Sequence, residues 1–268
     1  MIKLFASDLD GTLLNREHDI DNMIRQTIRK VEQAGGIVAI ATGRSPLMCD
    51  MLKDENLYMC SNNGALILDD HGTILDKTLI DKTVLKTILE QFKDEPLQYV
   101  GTDAIYHTVP YFAIRPPKGS EPKRKMPDWD HFRKFDCSIE DILSRDIVKI
   151  NIHKESDAPY PKVEQLLATY PDRLINAATT PSIYEITDAS VNKATGVKKL
   201  GQILRISEKE TAVYGDAGND LAMLQEFEHS YCPSTGLECA KEAASHIIGP
   251  YDDYAVVKHM LETIRNQK

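Results

Sequence analysis

Two aspartates stand two residues apart near the N-terminus, Asp8 and Asp10 in the stretch FASDLDGTLL, where an apolar run meets a glycine and a threonine. Carboxylates at the end of a buried strand repel each other and resist desolvation, so a pair placed there needs a cation or a chemical task. Three further polar groups occupy comparable places. Thr42, Gly43 and Arg44 follow the apolar run IVAIA, Lys193 opens KATGVKKLGQIL, and Asp216, Asn219 and Asp220 follow TAVYG. Each alone has an ordinary reading, as a strand-end turn, a helix cap, a solvated lysine or a Gly-Asn turn. Together they suit phosphoryl transfer. Three acidic side chains with added oxygen donors match Mg²⁺, which takes carboxylates, waters and phosphate oxygens, and the ion neutralises the carboxylates in return. A hydroxyl and an ammonium match phosphate oxygens, and an aspartate can attack phosphorus to give an aspartyl phosphate.

The elements that must hold these groups are legible from periodicity. IKLFAS reads as a strand, and DIDNMIRQTIRKVEQAGG repeats Ile20, Ile24, Ile28 and Val31 at helical spacing before Gly35 and Gly36. IVAIATGR is a continuous apolar run of β-branched character, as expected of a strand buried on both faces of a parallel sheet. The first 45 residues therefore read as a βαβ unit. LYMCSNNGALIL is expected as two extended pieces about a tight Asn63-Gly64 turn. From Asn192 the α/β rhythm returns: helix KATGVKKLGQIL, strand TAVYGD, helix NDLAMLQEF, short strand SHIIG and closing helix DDYAVVKHMLETI. The polar clusters thus fall at the C-terminal ends of strands, or, for Lys193, where the core resumes. Open α/β sheets bind their ligands at such ends.

Between the halves the texture changes. DKTVLKTILEQFK carries Val84, Leu85, Ile88, Leu89 and Phe92 on one helical side, and QYVGTDAIYHTV and IVKINIHK alternate like antiparallel strands. Residues 115–134 hold four prolines and seven Lys or Arg, the composition of an exposed loop. A helix in YPKVEQLLATY and strands in LINAATT and SIYEIT complete an inserted α+β module. The predicted fold class is α/β: a doubly wound, Rossmann-like parallel-sheet core in residues 1–80 and 184–268, interrupted by an α+β domain in residues 81–183.

Composition narrows the partners. A chain of 268 residues with net charge −9 is long enough for two domains and is unsuited to general binding of nucleic acid or anionic membranes. Any phosphate-bearing partner must be recognised locally. The five cysteines are odd in number and irregular in spacing, which points to a reducing compartment rather than a disulfide framework. Cys232 and Cys239 lack the close spacing of a zinc knuckle. With no signal segment and no apolar stretch approaching about 20 residues, the expectation is a soluble cytoplasmic protein.

The segments DLDGTLL, ATGR, Lys193 and GDAGNDLAM resemble, in order and spacing, the four signature motifs of the haloacid dehalogenase (HAD) superfamily. The insert between the second and third resembles, by position and length, the C2B cap of the Cof-type (IIB) phosphatases. The resemblance implies that Asp8 attacks phosphorus in line, while Asp10 protonates the leaving alcohol and then activates water. It implies that Thr42, Gly43, Lys193 and Asn219 hold the phosphate, with Lys193 neutralising the charge of the intermediate. Mg²⁺ would be ligated by Asp8, Asp216 and the backbone carbonyl of Asp10, with Asp220 acting directly or through water. Gly11 would permit the turn that brings backbone N–H groups toward phosphate. The chain departs from the family pattern in two places. Ala194 stands where the family has glycine after the lysine, with Gly196 two positions on, and CPSTG at 232–236 and DDYAVV occupy regions where the family has other motifs.

The expected activity is phosphate monoester hydrolysis on a small phosphorylated metabolite, sugar phosphates foremost, by a monomer or small homo-oligomer. A sugar phosphomutase sharing the aspartyl phosphate is the alternative. A signalling receiver domain does not fit, because its phosphorylated aspartate would follow a central strand and it needs no large insert. The cap is expected to select the leaving group, and within it Tyr106, His107, Arg115, Trp129 and His153 are each read as structural or solvated.

Overall fold

A computed structural model describes residues 1–53, 55–110, 130–154 and 156–267. In chain order the first strands are β1 (Leu4–Ser7), β2 (Ile37–Ala41), β3 (Tyr58–Ser61), β4 (Leu66–Leu68) and β5 (Ile74–Lys77), with helix α1 (Asn22–Gln33) between β1 and β2. Next come α2 (Lys82–Gln91), β6 (Gln98–Gly101), β7 (Ile105–Tyr106), β8 (Arg133–Lys134), α3 (Ile139–Leu143), β9 (Ile147–His153), α4 (Pro161–Thr169), β10 (Leu174–Asn176) and β11 (Ile183–Asp188). The chain closes with α5 (Lys193–Leu204), β12 (Thr211–Tyr214), α6 (Leu221–Glu226), β13 (His229–Pro233), α7 (Glu238–Ala243), β14 (His246–Ile248) and α8 (Ala255–Asn266). These elements form two compact units, residues 1–77 with 190–268 and residues 78–189.

The first unit is built on an eight-stranded sheet of order β14-β13-β12-β1-β2-β3-β4-β5. The pairs from β14 to β3 are parallel, and β4 and β5 add an antiparallel edge through the hairpin after β3. Alternation along β1 explains how the sheet is covered on both sides. Phe5 packs with Ile24, Ile28 and Val31 of α1 and Val256, Val257 and Met260 of α8. Leu4 and Ala6 pack on the opposite side with Ala194, Val197 and Leu200 of α5 and Met223. Successive strands step outward from β1 in one direction as β2 and β3, and in the other as β12, β13 and β14. The C-terminal end of β1 is therefore the switch point of the sheet, where such folds leave room for a ligand. The residue there is Asp8.

The second unit has a six-stranded sheet of order β10-β11-β9-β6-β7-β8, antiparallel except for β7 with β8. Val84, Leu85, Ile88 and Phe92 from the α2 segment, Ile142 from α3, and Val163 and Leu166 from α4 pack on Tyr99, Ile150, Ile152 and Ile186 of the sheet. Of the side chains singled out in this region, Tyr106 is buried in that core with its hydroxyl donating to Asp103 at 2.7 Å. His107 is also buried, its Nδ1 2.8 Å from the carbonyl of Leu97. Burial pushes the His107 imidazole down to about 4, so it is neutral at pH 7. His153 ends β9. Arg115, Trp129 and most of the expected 115–134 loop lie outside the described residues.

Some expectations change. The second compact unit spans 78–189, against the expected insert of 81–183, and the SIYEIT strand expected in the insert forms β11 and pairs antiparallel with β9. The core sheet is mixed at its β4-β5 edge, and β5, β8, α3, β13 and α7 were not anticipated, β8 falling at the end of the segment expected as a loop. Among the described residues no helix is long and apolar enough to cross a membrane. Because Phe92 is completely buried at the end of α2, Phe92→Ala should destabilise the second unit by about 3–5 kcal/mol, measured by urea denaturation; a change under about 1 kcal/mol would contradict this core assignment.

Candidate active site

Strand β1 is buried along its length and ends at Ser7, after which the backbone N–H of Asp8 donates to the carbonyl of Tyr214 at 2.9 Å. That bond extends the β1-β12 ladder and fixes where Asp8 leaves the sheet. The chain then makes a wide helical turn over Leu9–Leu13, broken at Gly11, whose φ is +79°. A Cβ at Gly11 would lie 2.5 Å from Asp216 Oδ2, so both the backbone angle and the close approach require glycine. The turn brings Thr12 round to donate its hydroxyl to Asp216 Oδ1 at 2.9 Å. Strands β1 and β12 are neighbours, and Asp8 and Asp216 come together because the chain leaves both at the same end.

Lys193 enters from the first turn of α5. Asn192 caps that helix, its side chain accepting from the Thr195 N–H at 2.8 Å while Thr195 Oγ1 accepts from the Asn192 N–H at 3.0 Å. The fully buried ammonium donates to Asp8 Oδ1 at 2.6 Å and to Asp220 Oδ1 at 2.7 Å. Asp220 Oδ2 accepts from the backbone N–H groups of Asp216 and Ala217, each at 3.0 Å. The expected irregularity beside Lys193 resolves in packing. Ala194 is buried in the apolar cluster under the sheet, and the close backbone approach falls at Gly196, where a Cβ would lie 2.7 Å from the Cα of Gly64. Gly64, with φ +99°, in turn lies against the Asn192 carbonyl, 2.4 Å from where its own Cβ would stand.

Asp8, Asp216 and Asp220 each offer a carboxylate oxygen within 4.8 Å of the other two. Three carboxylates thus share one ammonium. Burial pushes the Asp8 carboxyl up to about 8 against the pull of Lys193, with Asp220 and Asp216 adding to the rise. Burial also lifts Asp216 to about 6, again with Asp220 contributing. In spite of burial, Asp220 and Asp8 hold the Lys193 ammonium well above its ordinary value. An all-oxygen, acidic, partly buried cluster short of positive charge has the donor chemistry for a hard divalent cation.

Asp10 departs from this cluster. Its carboxylate takes a two-point contact from Arg44, Nε to Oδ2 at 2.9 Å and Nη2 to Oδ1 at 2.6 Å, and His18 Nδ1 lies 3.0 Å from Oδ1. Thr42 is buried at the end of β2, and its hydroxyl oxygen accepts from the Arg44 N–H at 3.1 Å. Gly43 lies between them in the chain. Asn219 donates through Nδ2 to Asn63 Oδ1 at 3.1 Å. The structure therefore gathers Asp8, Lys193, Asp216 and Asp220 into one cluster and ties Asp10 to Arg44, which stands beside Thr42. Thr12, His18 and Asn63 had not been singled out as members of the site, although Thr12 lies within DLDGT and Asn63 within the anticipated turn.

The sequence profile of the haloacid dehalogenase-like hydrolase family matches residues 5–260. The chain is 25% identical over 253 residues to a 5-amino-6-(5-phospho-D-ribitylamino)uracil phosphatase, YcsE of Bacillus subtilis, covering 92% of this chain and 89% of that one. The structure of TM0651 from Thermotoga maritima superposes with a TM-score of 0.79 at 21% identity, covering 98% of this chain and 97% of that one. That of BT4131, named a HAD subclass IIB sugar phosphatase, gives 0.74 at 23% identity, covering 97% and 98%.

Two outcomes follow from the geometry. Gly64→Ala should push the start of α5 away from the strand end and lower thermal stability, by about 1–3 kcal/mol or more; an unchanged melting temperature would contradict the close approach. A divalent ion held by this cluster would have to displace the proton that burial favours on Asp8, so apparent affinity for such an ion should fall as the pH drops from 8 to 6. Calorimetric titrations at several pH values test this, and pH-independent affinity would contradict it.

Proposed function

The chain belongs to the haloacid dehalogenase-like hydrolase family, and from that premise we propose that it is a Mg²⁺-dependent phosphatase of Cof type, acting on phosphate monoesters of small metabolites. The observation that carries this reading is Lys193 bridging Asp8 and Asp220 beside Asp216, at the switch point of the sheet. A nucleophile, a buried ammonium and a cation-seeking set of carboxylates are the parts that phosphoryl transfer through an aspartate requires. The names of relatives such as YcsE and BT4131 support the same reaction, and BT4131 supports sugar phosphates as the first class to try.

Asp8 forms a bond to phosphorus as the bond to the leaving oxygen breaks, and a proton passes from the Asp10 carboxyl to that oxygen to release the alcohol. Asp10, now a carboxylate, takes a proton from water as that water attacks phosphorus. The Asp8–phosphorus bond breaks, returning the Asp8 carboxylate and inorganic phosphate. Lys193 neutralises the Asp8 and phosphate charge through both steps. Thr42 Oγ1 accepts from the Arg44 N–H, which leaves its own proton for a phosphate oxygen, and Gly43 and Asn219 complete the phosphate contacts. The ion would be held by Asp8, Asp216, the Asp10 carbonyl and Asp220, the last directly or through water. When bound, Mg²⁺ supplies positive charge for the phosphate oxygens and fixes their orientation. Residues 78–189 are assigned as the C2B-type cap, and choice of leaving group is assigned to that unit. The odd number and irregular spacing of the five cysteines support a reducing, cytoplasmic compartment.

With Mg²⁺ and a panel of hexose and pentose phosphates, the protein should release inorganic phosphate. Chelation should abolish this and added Mg²⁺ should restore it, while Asp8→Asn should lower kcat by roughly a thousandfold or more. Metal-dependent release retained by Asp8→Asn would sink the mechanism. Isomerisation of hexose phosphates without phosphate release would instead identify a mutase.

A further inference from the structure

The Asp10–Arg44 pair does more than balance charge. Arg44 follows β2 and Asp10 follows β1, which lie side by side in the sheet, and both carboxylate oxygens of Asp10 are taken by one guanidinium at 2.9 and 2.6 Å. A two-point arginine fork fixes the plane of a carboxylate, which a lysine ammonium does not. Arg44 is itself held: its N–H donates to Thr42 Oγ1 at 3.1 Å, and its carbonyl accepts from the Asn62 N–H at 3.0 Å. His18 touches one oxygen only and is exposed, so the orientation rests on Arg44.

We propose that Arg44 is the positioning residue for proton transfer by Asp10. The inference rests on the reading of Asp10 as acid and base given above. In the first step the phosphorus–oxygen bond to the leaving group breaks and the Asp10 proton goes to that oxygen. The carboxylate that remains is the form whose two oxygens suit the fork, and it is also the form that must next receive a proton from water. Arg44 thereby holds Asp10 in the plane it needs at the end of one proton transfer and the start of the other. Through its backbone N–H it also fixes the Thr42 hydroxyl, so that one residue orients two groups on adjacent strands.

A leaving group that is already a stable anion needs little proton donation, whereas an alcohol needs it fully, so loss of positioning must grow with leaving-group basicity. Rapid-quench measurement of leaving-group release in the first turnover, with p-nitrophenyl phosphate, phenyl phosphate and an alkyl phosphate, tests this. Arg44→Gln should lose a few-fold with the first and on the order of a hundredfold with the last. Arg44→Lys, which keeps the charge without the fork, should show the same trend. Equal losses for all three substrates, or no loss, would overturn the proposal. Asp10→Asn separates the two readings: if its losses also fail to grow with basicity, the acid assignment itself falls. If they grow while those of the Arg44 variants do not, only the role of Arg44 falls. Melting temperature and affinity for Mn²⁺ should match the unaltered protein in at least one Arg44 variant, and that variant carries the comparison.

Discussion

Everything at this site follows from an unbalanced charge: Asp8, Asp216 and Asp220 within reach of one another, and a single buried ammonium among them. Each ion taken from water costs several kcal/mol, and two like charges in contact add to that cost. Lys193 offsets part of it, and the backbone N–H groups of Asp216 and Ala217 offset more by donating to Asp220. What is left shows in the raised Asp8 and Asp216 carboxyls. A fold optimised for stability alone would fill this volume with apolar side chains. The retained deficit of positive charge gives the cluster the donor chemistry for a hard divalent cation.

The sheet makes the arrangement affordable in conformational terms. Parallel β1, β2 and β12 deliver Asp8, Thr42 and Asp216 to one end, and each side chain is placed by a strand that is buried on both faces. Fine placement then depends on glycines where no side chain fits. Gly11 lets the chain turn against Asp216, and Gly64 and Gly196 let α5 approach closely enough for Lys193 to reach in. Rigid elements carry the groups and the turns between them set the final angles.

Much of this was legible in the sequence for a physical reason. Acidic residues at the ends of apolar runs have no packing role, so Asp8, Asp216 and Asp220 stood out by type and place, whereas Lys193, which opens the helix where the core resumes, stood out only together with them. Strands with buried, β-branched cores were equally plain, as in IVAIA. Less visible were β5, exposed at the sheet edge, and β13, whose HSYCP carries little of the strand signature. SIYEIT was legible as a strand of the insert and pairs with β9 there, but a boundary at 183 cuts through it, since periodicity marks a strand's presence better than its ends. Partner choices such as Thr12 to Asp216 or Arg44 to Asp10 depend on turn angles and strand order, which side-chain type alone does not encode.

The central claim is that Asp8 itself receives the phosphoryl group. Its most direct measurement is a rapid acid quench of the protein with a ³²P-labelled sugar phosphate and Mg²⁺, followed by proteolysis and identification of the labelled peptide. The account predicts transient label on the peptide containing Asp8, appearing before inorganic phosphate. Phosphate released at the full catalytic rate with no label on the protein at any time would contradict it.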